Sequence, residues 1–309
     1  LTIGEILVEI MAVEPGNGFR EAISLVGPFA SGAPAIFIDQ AAKFGQPCAI
    51  IGAVGRDDFG AVCVDRLKRD GVDVSAIGED PERPTGSAFV RYRPDGARDF
   101  VFNIRHSACA AVKPTPQTEA AIAACDHLHV MGTSLFSEAI IDLTLDALKQ
   151  VRARGGTISF DPNVRREMLD LPGLRPALDF VITQTDLFMP SGPELFLFST
   201  ARTEGEAARD LLDRGVAAVV VKRGAEGAVY FDAAAEISVP AYAAKEIDPT
   251  GAGDCFGATF VSCWLRGLPP KQALAYANAA GSLAVRKKGP MEGASTLAEI
   301  EALVASRPA

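Results

Sequence analysis

Near the C-terminal end, Asp248-Pro249-Thr250-Gly251-Ala252-Gly253-Asp254-Cys255-Phe256-Gly257 combines two carboxylates with close glycines and leads into an apolar run reaching about Leu265. Glycine allows the tight turn that points successive N–H groups outward, and a helix starting there adds the positive end of its dipole. Such a turn is an anion site. A carboxylate such as Asp254 beside it repels a bound phosphate, so its position asks for a use: taking the proton of a hydroxyl that attacks a phosphoryl group. Other readings stay open. The spacing Gly-x-Gly-x-x-x-Gly departs from the dinucleotide Gly-x-Gly-x-x-Gly and no βαβ unit follows it. The Gly-Lys-Ser/Thr ending of a P-loop is missing. A plain helix start, with Asp254 matched to the dipole, is the bland alternative.

Three further strings carry polar side chains at places where a parallel sheet opens. Val219-Val220-Val221-Lys222-Arg223-Gly224-Ala225-Glu226-Gly227 reads as a buried strand entering a glycine turn, either an ordinary hairpin or the border of a ligand. Asp161-Pro162-Asn163-Val164-Arg165 follows the apolar run 157–160; at a strand's carboxyl end it faces the cleft, and in isolation it is a capped turn. Arg91, Arg93, Arg98 and Arg105 crowd one segment, where alternation places Arg91 and Arg93 on one face and Tyr92 on the other. Arginines there guard an exposed edge or meet a substrate, and Arg105 is the favoured contact, ahead of His106. His127 and His129 straddle a buried strand and read as structural.

The elements that must hold these residues follow from composition and period. A chain of 309 residues with 48% hydrophobic content buries a full core without staples. Thirty basic against thirty-nine acidic residues leave a net charge of −9, which opposes sequence-blind attraction to nucleic acid, so a polyphosphate needs a local pocket. The six cysteines include no C-x-x-C pair and suit a reducing cytoplasm. No apolar run reaches the ~18 residues of a membrane span, and the start lacks the pattern of a secretory signal. Leu1 opens without Met inside an apolar segment, which points to a few native residues ahead of it.

Short apolar runs at 49–51, 128–130, 157–160, 187–189 and 219–221 alternate with helical segments. In 138–154, Ile141, Leu145 and Leu148 recur at helical spacing before Gly155-Gly156. This alternation predicts an α/β domain with a mostly parallel sheet covered on both faces, spanning residues 1–309 as one unit. One segment breaks it: 87–92 and 98–103 alternate at period two around Pro94-Asp95-Gly96, a β-hairpin. With the glycine- and proline-rich stretch 11–31, residues 84–107 are expected to form a small β-sheet lid over the open end of the sheet.

Together these strings resemble the ribokinase-type carbohydrate kinases, the PfkB family, over essentially the whole chain. The 248–254 string is similar to the family's D-T-x-G-A-G-D signature, Glu5-Ile6-Leu7-Val8-Glu9 to its first strand, Ser31-Gly32-Ala33-Pro34-Ala35 to its Gly-Gly sugar motif, and 54–60 to its G-x-D-x-x-G segment. The resemblance implies a ribokinase-like three-layer α/β/α domain and transfer of a phosphoryl group from ATP to a sugar. It makes Asp254 the base and the Gly251-Ala252-Gly253 amides the hole for the transferring group. Asp248 and Thr250 hold the loop, which in many relatives also organises a monovalent cation such as K⁺.

The same resemblance assigns Lys222, Gly224, Glu226 and Gly227 to the nucleotide's border, Asn278 to an Ala-rich helix against the adenine, and Gly289 to the loop closing that pocket. Small residues on that helix are equally consistent with close packing. Glu194 acts through water on Mg²⁺, although Ser191 stands where the family carries Asn. The sugar side takes Glu9, Gly32, Ala33, Tyr92, Arg105, Asp161, Asn163 and Arg165, with Ile36 replacing a common Asn. The Asp161-Pro162-Asn163-Val164-Arg165 string resembles the fructokinase and ketodeoxygluconate kinase branches, so the expected substrate is a ketohexose such as tagatose or fructose, with 2-keto-3-deoxygluconate as the alternative. A sensor that kept the fold without turnover is a further alternative. Relatives often pair through the lid, so a homodimer is expected.

Overall fold

The computed structural model describes residues 1–164 and 169–306. In chain order the strands are β1 (Thr2–Ile3), β2 (Leu7–Ala12), β3 (Leu25–Ser31), β4 (Ile50–Gly55), β5 (Ile77–Asp80), β6 (Gly86–Tyr92), β7 (Arg98–Asn103), β8 (His127–Met131), β9 (Thr157–Asp161), β10 (Leu187–Phe188), β11 (Ala218–Lys222), β12 (Ala228–Phe231) and β13 (Glu236–Val239). The helices are α1 (Ala33–Lys43), α2 (Asp58–Arg69), α3 (Pro116–Ala123), α4 (Glu138–Ala153), α5 (Leu174–Thr183), α6 (Glu204–Asp213), α7 (Ala252–Leu265), α8 (Pro270–Ala284) and α9 (Leu297–Ala305).

The five expected runs become β4, β8, β9, β10 and β11 of one nine-stranded sheet in the order β13-β12-β11-β10-β9-β8-β1-β4-β5. From β11 to β5 the pairs are parallel, and β12 and β13 add an antiparallel edge. Parallel strands lie between helices on both faces, so both side-chain sets must be apolar. In β11, Val220 packs into one apolar cluster with residues of α1, α7 and α8, while Val219 and Val221 pack into the other with α4, α5 and α6. All three are fully buried, and burying each valine stabilises the fold by about 1.5–3 kcal/mol.

Helix α4 shows how local signals set the layers. Ser137 caps it by accepting the Ile140 N–H, and Gly155 at φ 78° ends it with its N–H on the Arg152 carbonyl. Its buried stripe is Ile140, Leu143, Ala147, Leu148 and Val151. Ile141 and Leu145, two of the three residues that marked its period, are only half-buried at the margin of that stripe.

The N-terminal strand differs from expectation. Rather than one strand over Glu5 to Glu9, the chain contributes only Thr2–Ile3 to the main sheet and then crosses to β2 in a second sheet. That sheet has the order β3-β2-β6-β7, with β2 parallel to β6 and β6–β7 the expected hairpin. The Asp95 carboxylate takes the Ala97 N–H, and Gly96 supplies φ 84° at the turn. Arg91 is buried and donates to Glu21 and to the Gly18 carbonyl, tying the 13–24 stretch to the sheet. The second sheet is thus assembled from the two segments 11–31 and 84–107, together with the start of β2.

Candidate active site

Strands β9 and β11 end at Asp161 and Lys222, and the first turn of α7 carries Asp254. These carboxyl ends of parallel strands form the open side of the sheet. Gly251 caps α7 at φ 82°, a conformation that disfavours a Cβ, and a Cβ there would overlap the Pro290 carbonyl oxygen. A helix beginning at such a turn leaves its first N–H groups without intrahelical acceptors and presents its positive end to whatever lies beyond. The helix start is thus shown as such, and its free N–H groups leave room for the anion-site reading as well.

Lys222 is buried, and its Nζ donates to Asp161 Oδ2. A Cβ on Gly253 would stand 3.8 Å from that ammonium, so the cation borders the first turn of α7. Glu194 and Asp254 add to the negative field that keeps Lys222 charged despite its burial. The second oxygen of Asp161, Oδ1, is buried without a hydrogen-bond partner among the described residues. Burial raises the Asp161 carboxyl from its ordinary range, and Lys222 opposes the rise.

Asp254 is buried, and Asn163, held at φ 39°, donates its Nδ2 to Asp254 Oδ1 at 3.5 Å. Burial chiefly, then the charges of Asp161 and Glu5, push the Asp254 carboxyl up to about 8 against the opposing pull of Lys222. Glu194 accepts the N–H groups of Ser191 at 2.7 Å and Val164 at 2.9 Å. Burial and Asp161 still lift it to about 7. Ser191, where the family pattern has Asn, serves as a capping partner for Glu194.

Several carboxylates thus share one cation, a site short of positive charge. The acceptors are hard oxygens, one of them orphaned, which suits a divalent ion of the Mg²⁺ type. No cluster of three or more His, Cys, Asp or Glu side chains able to cage a metal exists among the described residues.

Asp248 has a different task. It is buried and accepts the Tyr92 hydroxyl at 2.5 Å, the Thr250 N–H at 3.0 Å and the Gly289 N–H at 2.9 Å. Arg98 donates to Thr250 Oγ1 at 3.2 Å. Tyr92, expected beside the sugar, spends its hydroxyl on this loop and so joins the second sheet to the start of α7.

The remaining predicted residues fall into place less evenly. Gly224, Glu226 and Gly227 form the β11–β12 hairpin turn, in which Glu226 is exposed and a Cβ on Gly227 would overlap the Val239 carbonyl. Asn278 is buried on α8 and donates to the Val239 carbonyl at 2.9 Å, a packing role for its amide. Gly32, at φ 108°, caps α1 against the Glu5 carbonyl, and Ala33 is the first residue of that helix. Ile36 Cγ2 would sit 3.1 Å from a Cβ on Gly251, so the apolar replacement packs on the glycine turn. Glu9 is buried in β2, where Ser31 Oγ donates to it at 3.5 Å. Arg105 is exposed and has no ion pair among the described residues. Arg165 lies outside the described residues.

Glu5 was not anticipated as a site residue. It is buried between β1 and β2, accepts Ser134 Oγ at 2.7 Å and Thr133 Oγ1 at 3.5 Å, and its charge reaches Asp254. Its only signal in the sequence is a carboxylate inside an apolar run. His127 and His129 are structural as expected: Ser159 Oγ bonds both rings at 2.8 Å, His129 stacks on Phe37, and burial lowers both below the ordinary imidazole range. Two grooves of about 550 and 570 Å³ lie elsewhere, and neither is lined by Asp161, Glu194, Lys222 or Asp254.

A doubly covered parallel sheet with a second small sheet, and a glycine-turned helix start beside a buried carboxylate, defines a phosphotransferase of the ribokinase type. The chain belongs to the pfkB family of carbohydrate kinases, whose sequence pattern matches residues 2–297, and it is a sugar kinase. It is 31% identical to the Arabidopsis thaliana protein named "Probable fructokinase-5", over 99% of this chain and 97% of the relative. It is 32% identical to the 2-dehydro-3-deoxygluconokinase of Thermoproteus tenax, over 98% and 93% respectively. An E. coli protein provisionally assigned as ribokinase II superposes in its apo form with a TM-score of 0.95 at 48% identity, covering 99% of this chain and 98% of that one. The same protein has been solved with ATP and Mg²⁺. No helix among the described residues is long and apolar enough to cross a membrane.

Proposed function

We propose that the protein transfers the γ-phosphoryl group of ATP to a primary hydroxyl of a ketohexose such as fructose or tagatose, with Asp254 as the base. The observation that carries this reading is the buried Asp254 carboxylate in the first turn of α7, behind Gly251 and beside Lys222. A base needs a proton affinity near working pH, and burial among other carboxylates supplies it. The N–H groups of the α7 start and the Lys222 ammonium receive the charge of the transferring group. Asp161 orients Lys222, and Asn163 orients Asp254. Mg²⁺, when bound with ATP, would offset phosphate charge, and Glu194 would be the carboxylate that meets it through water. Glu9, Gly32 and Ala33 border the sugar, and Gly224, Gly227, Asn278 and Gly289 bound the nucleotide.

In this reading the sheet β3-β2-β6-β7 is a lid. Water competes with sugar for the phosphoryl group, so a cover that excludes it protects the reaction. A second copy pairing through that sheet makes a homodimer, which sedimentation tests. The six free cysteines support a reducing cytoplasm as the working compartment.

A second reading, phosphorylation of 2-keto-3-deoxygluconate, is favoured by Arg105. Its exposed guanidinium pairs with no carboxylate among the described residues and suits a substrate carboxylate. An ADP-coupled assay with fructose, tagatose, ribose and 2-keto-3-deoxygluconate, with and without K⁺, discriminates these. A kcat/KM at least ~10-fold higher for a ketohexose supports the first reading. Preference for the acid, lost in Arg105→Ala, supports the second, and turnover of ribose alone refutes both.

A further inference from the structure

We infer that Arg66, on the buried face of α2, is a positioning residue for phosphoryl transfer: it clamps the backbone strip that supports the glycine turn of α7. The inference rests on the proposed reaction at that turn. Arg66 lies among Cys63 and Leu67 with its side chain 9% exposed. A guanidinium so placed is tolerated only when its N–H groups are satisfied. Nε donates to Asp70 at 2.7 Å, Nη1 to Glu292 at 2.8 Å, and Nη2 to the Met291 carbonyl at 2.6 Å and to Asp39 at 3.3 Å. One side chain therefore joins α2, α1 and the strip 289–292 that follows α8.

That strip touches the candidate site at two points. The Gly289 N–H holds Asp248, the carboxylate that ties the start of the loop. The Pro290 carbonyl lies directly against Gly251, close enough that a Cβ there would overlap it. Arg66 grips the next two residues, Met291 and Glu292. Farther along, Ser295 is held separately by Gln40, whose amide exchanges two 2.8 Å hydrogen bonds with its backbone. Releasing Arg66 thus frees the part of the strip that backs Gly251 while the connection to α1 persists. Amides that must meet a developing charge lose effectiveness when displaced by fractions of an ångström.

Arg66→Lys keeps the charge but cannot reach four acceptors, and Glu292→Ala removes the most exposed partner with little risk to folding. We expect kcat to fall roughly 10-fold in Arg66→Lys and about 3-fold in Glu292→Ala, with the sugar KM within about 2-fold of the parent. Rates are normalised to the nucleotide-binding fraction, so lost folding does not count as lost turnover. A normalised kcat within 2-fold of the parent in both variants overturns the inference, whatever happens to Tm. If Arg66→Lys does not fold, Glu292→Ala alone decides. Asp254→Asn, run beside them, tests the underlying reaction: if it retains turnover that reading fails, and if it alone is inactive only the Arg66 clamp fails.

Discussion

Replacing Asp254 by Asn preserves the shape of the α7 start and removes one negative charge from a buried group that already has too many. The parent carboxyl is displaced from its ordinary 3.8 to about 8, first by burial and then by Asp161 and Glu5. A carboxylate bearing that displacement alone would forfeit on the order of 5 kcal/mol of folding free energy once ionised. Its neighbours share the repulsion, so Asn should recover ~1–3 kcal/mol at pH 8.5, about 2–8 °C in Tm. Because the folded carboxyl binds its proton more tightly than the unfolded one, the associated stability is intact below about pH 4 and is lost as pH rises through about 8. The Tm advantage of Asp254→Asn therefore grows from pH 4 to pH 8.5. Turnover moves the other way, falling at least ~10²-fold with ATP binding kept. In the parent, kcat/KM for the sugar at low ATP, where it reports the ligand-free protein, climbs with pH, passes half of its maximum near 8 and levels off about one unit higher. Thermal melts across pH and an ADP-coupled assay suffice. Near-normal turnover in the variant, or a Tm difference indifferent to pH, refutes the reasoning.

Gly251→Ala forces a Cβ onto the Pro290 carbonyl at a φ of 82°, and kcat should drop about 10²- to 10³-fold; a drop below 3-fold would show that the turn contributes no transition-state contact. Lys222→Met leaves Asp161 buried and unpaired, so it should lose ~3–5 kcal/mol of stability as well as turnover. Adding Asp161→Asn should restore Tm without restoring kcat, and recovery of both would make the ion pair purely structural. Tyr92→Phe removes a hydroxyl bonded to the Asp248 carboxylate at 2.5 Å and should cost ~1.5–3 kcal/mol in a denaturant titration; an unchanged midpoint would mean the second sheet is not tied to the loop by this bond.

Much of the architecture was legible because its causes are local. Short apolar runs marked β4, β8, β9, β10 and β11, and period two marked the β6–β7 hairpin. Gly251 was readable too, since a positive φ at a helix start asks for that residue wherever it stands. Side-chain partners were not legible. Tyr92 and Asp248 are joined across 156 positions of sequence, and nothing in either neighbourhood announces the bond. Glu5 and Asp161 bear on Asp254 only because β1 and β9 flank β8 in the finished sheet and both end on its open side.

By itself, then, the order of residues determined the α/β layering, the glycine turn of 248–254 and the presence of a carboxylate beside it, because dihedral preference and periodicity act over a few residues. Only the tertiary structure decided that Lys222 is shared by several acids, that Asp254 holds its proton to about 8, and that Arg66 reaches the strip behind Gly251. Those properties arise from burial and from Coulombic distances between residues far apart in sequence, which exist only once the sheet has closed and water has left.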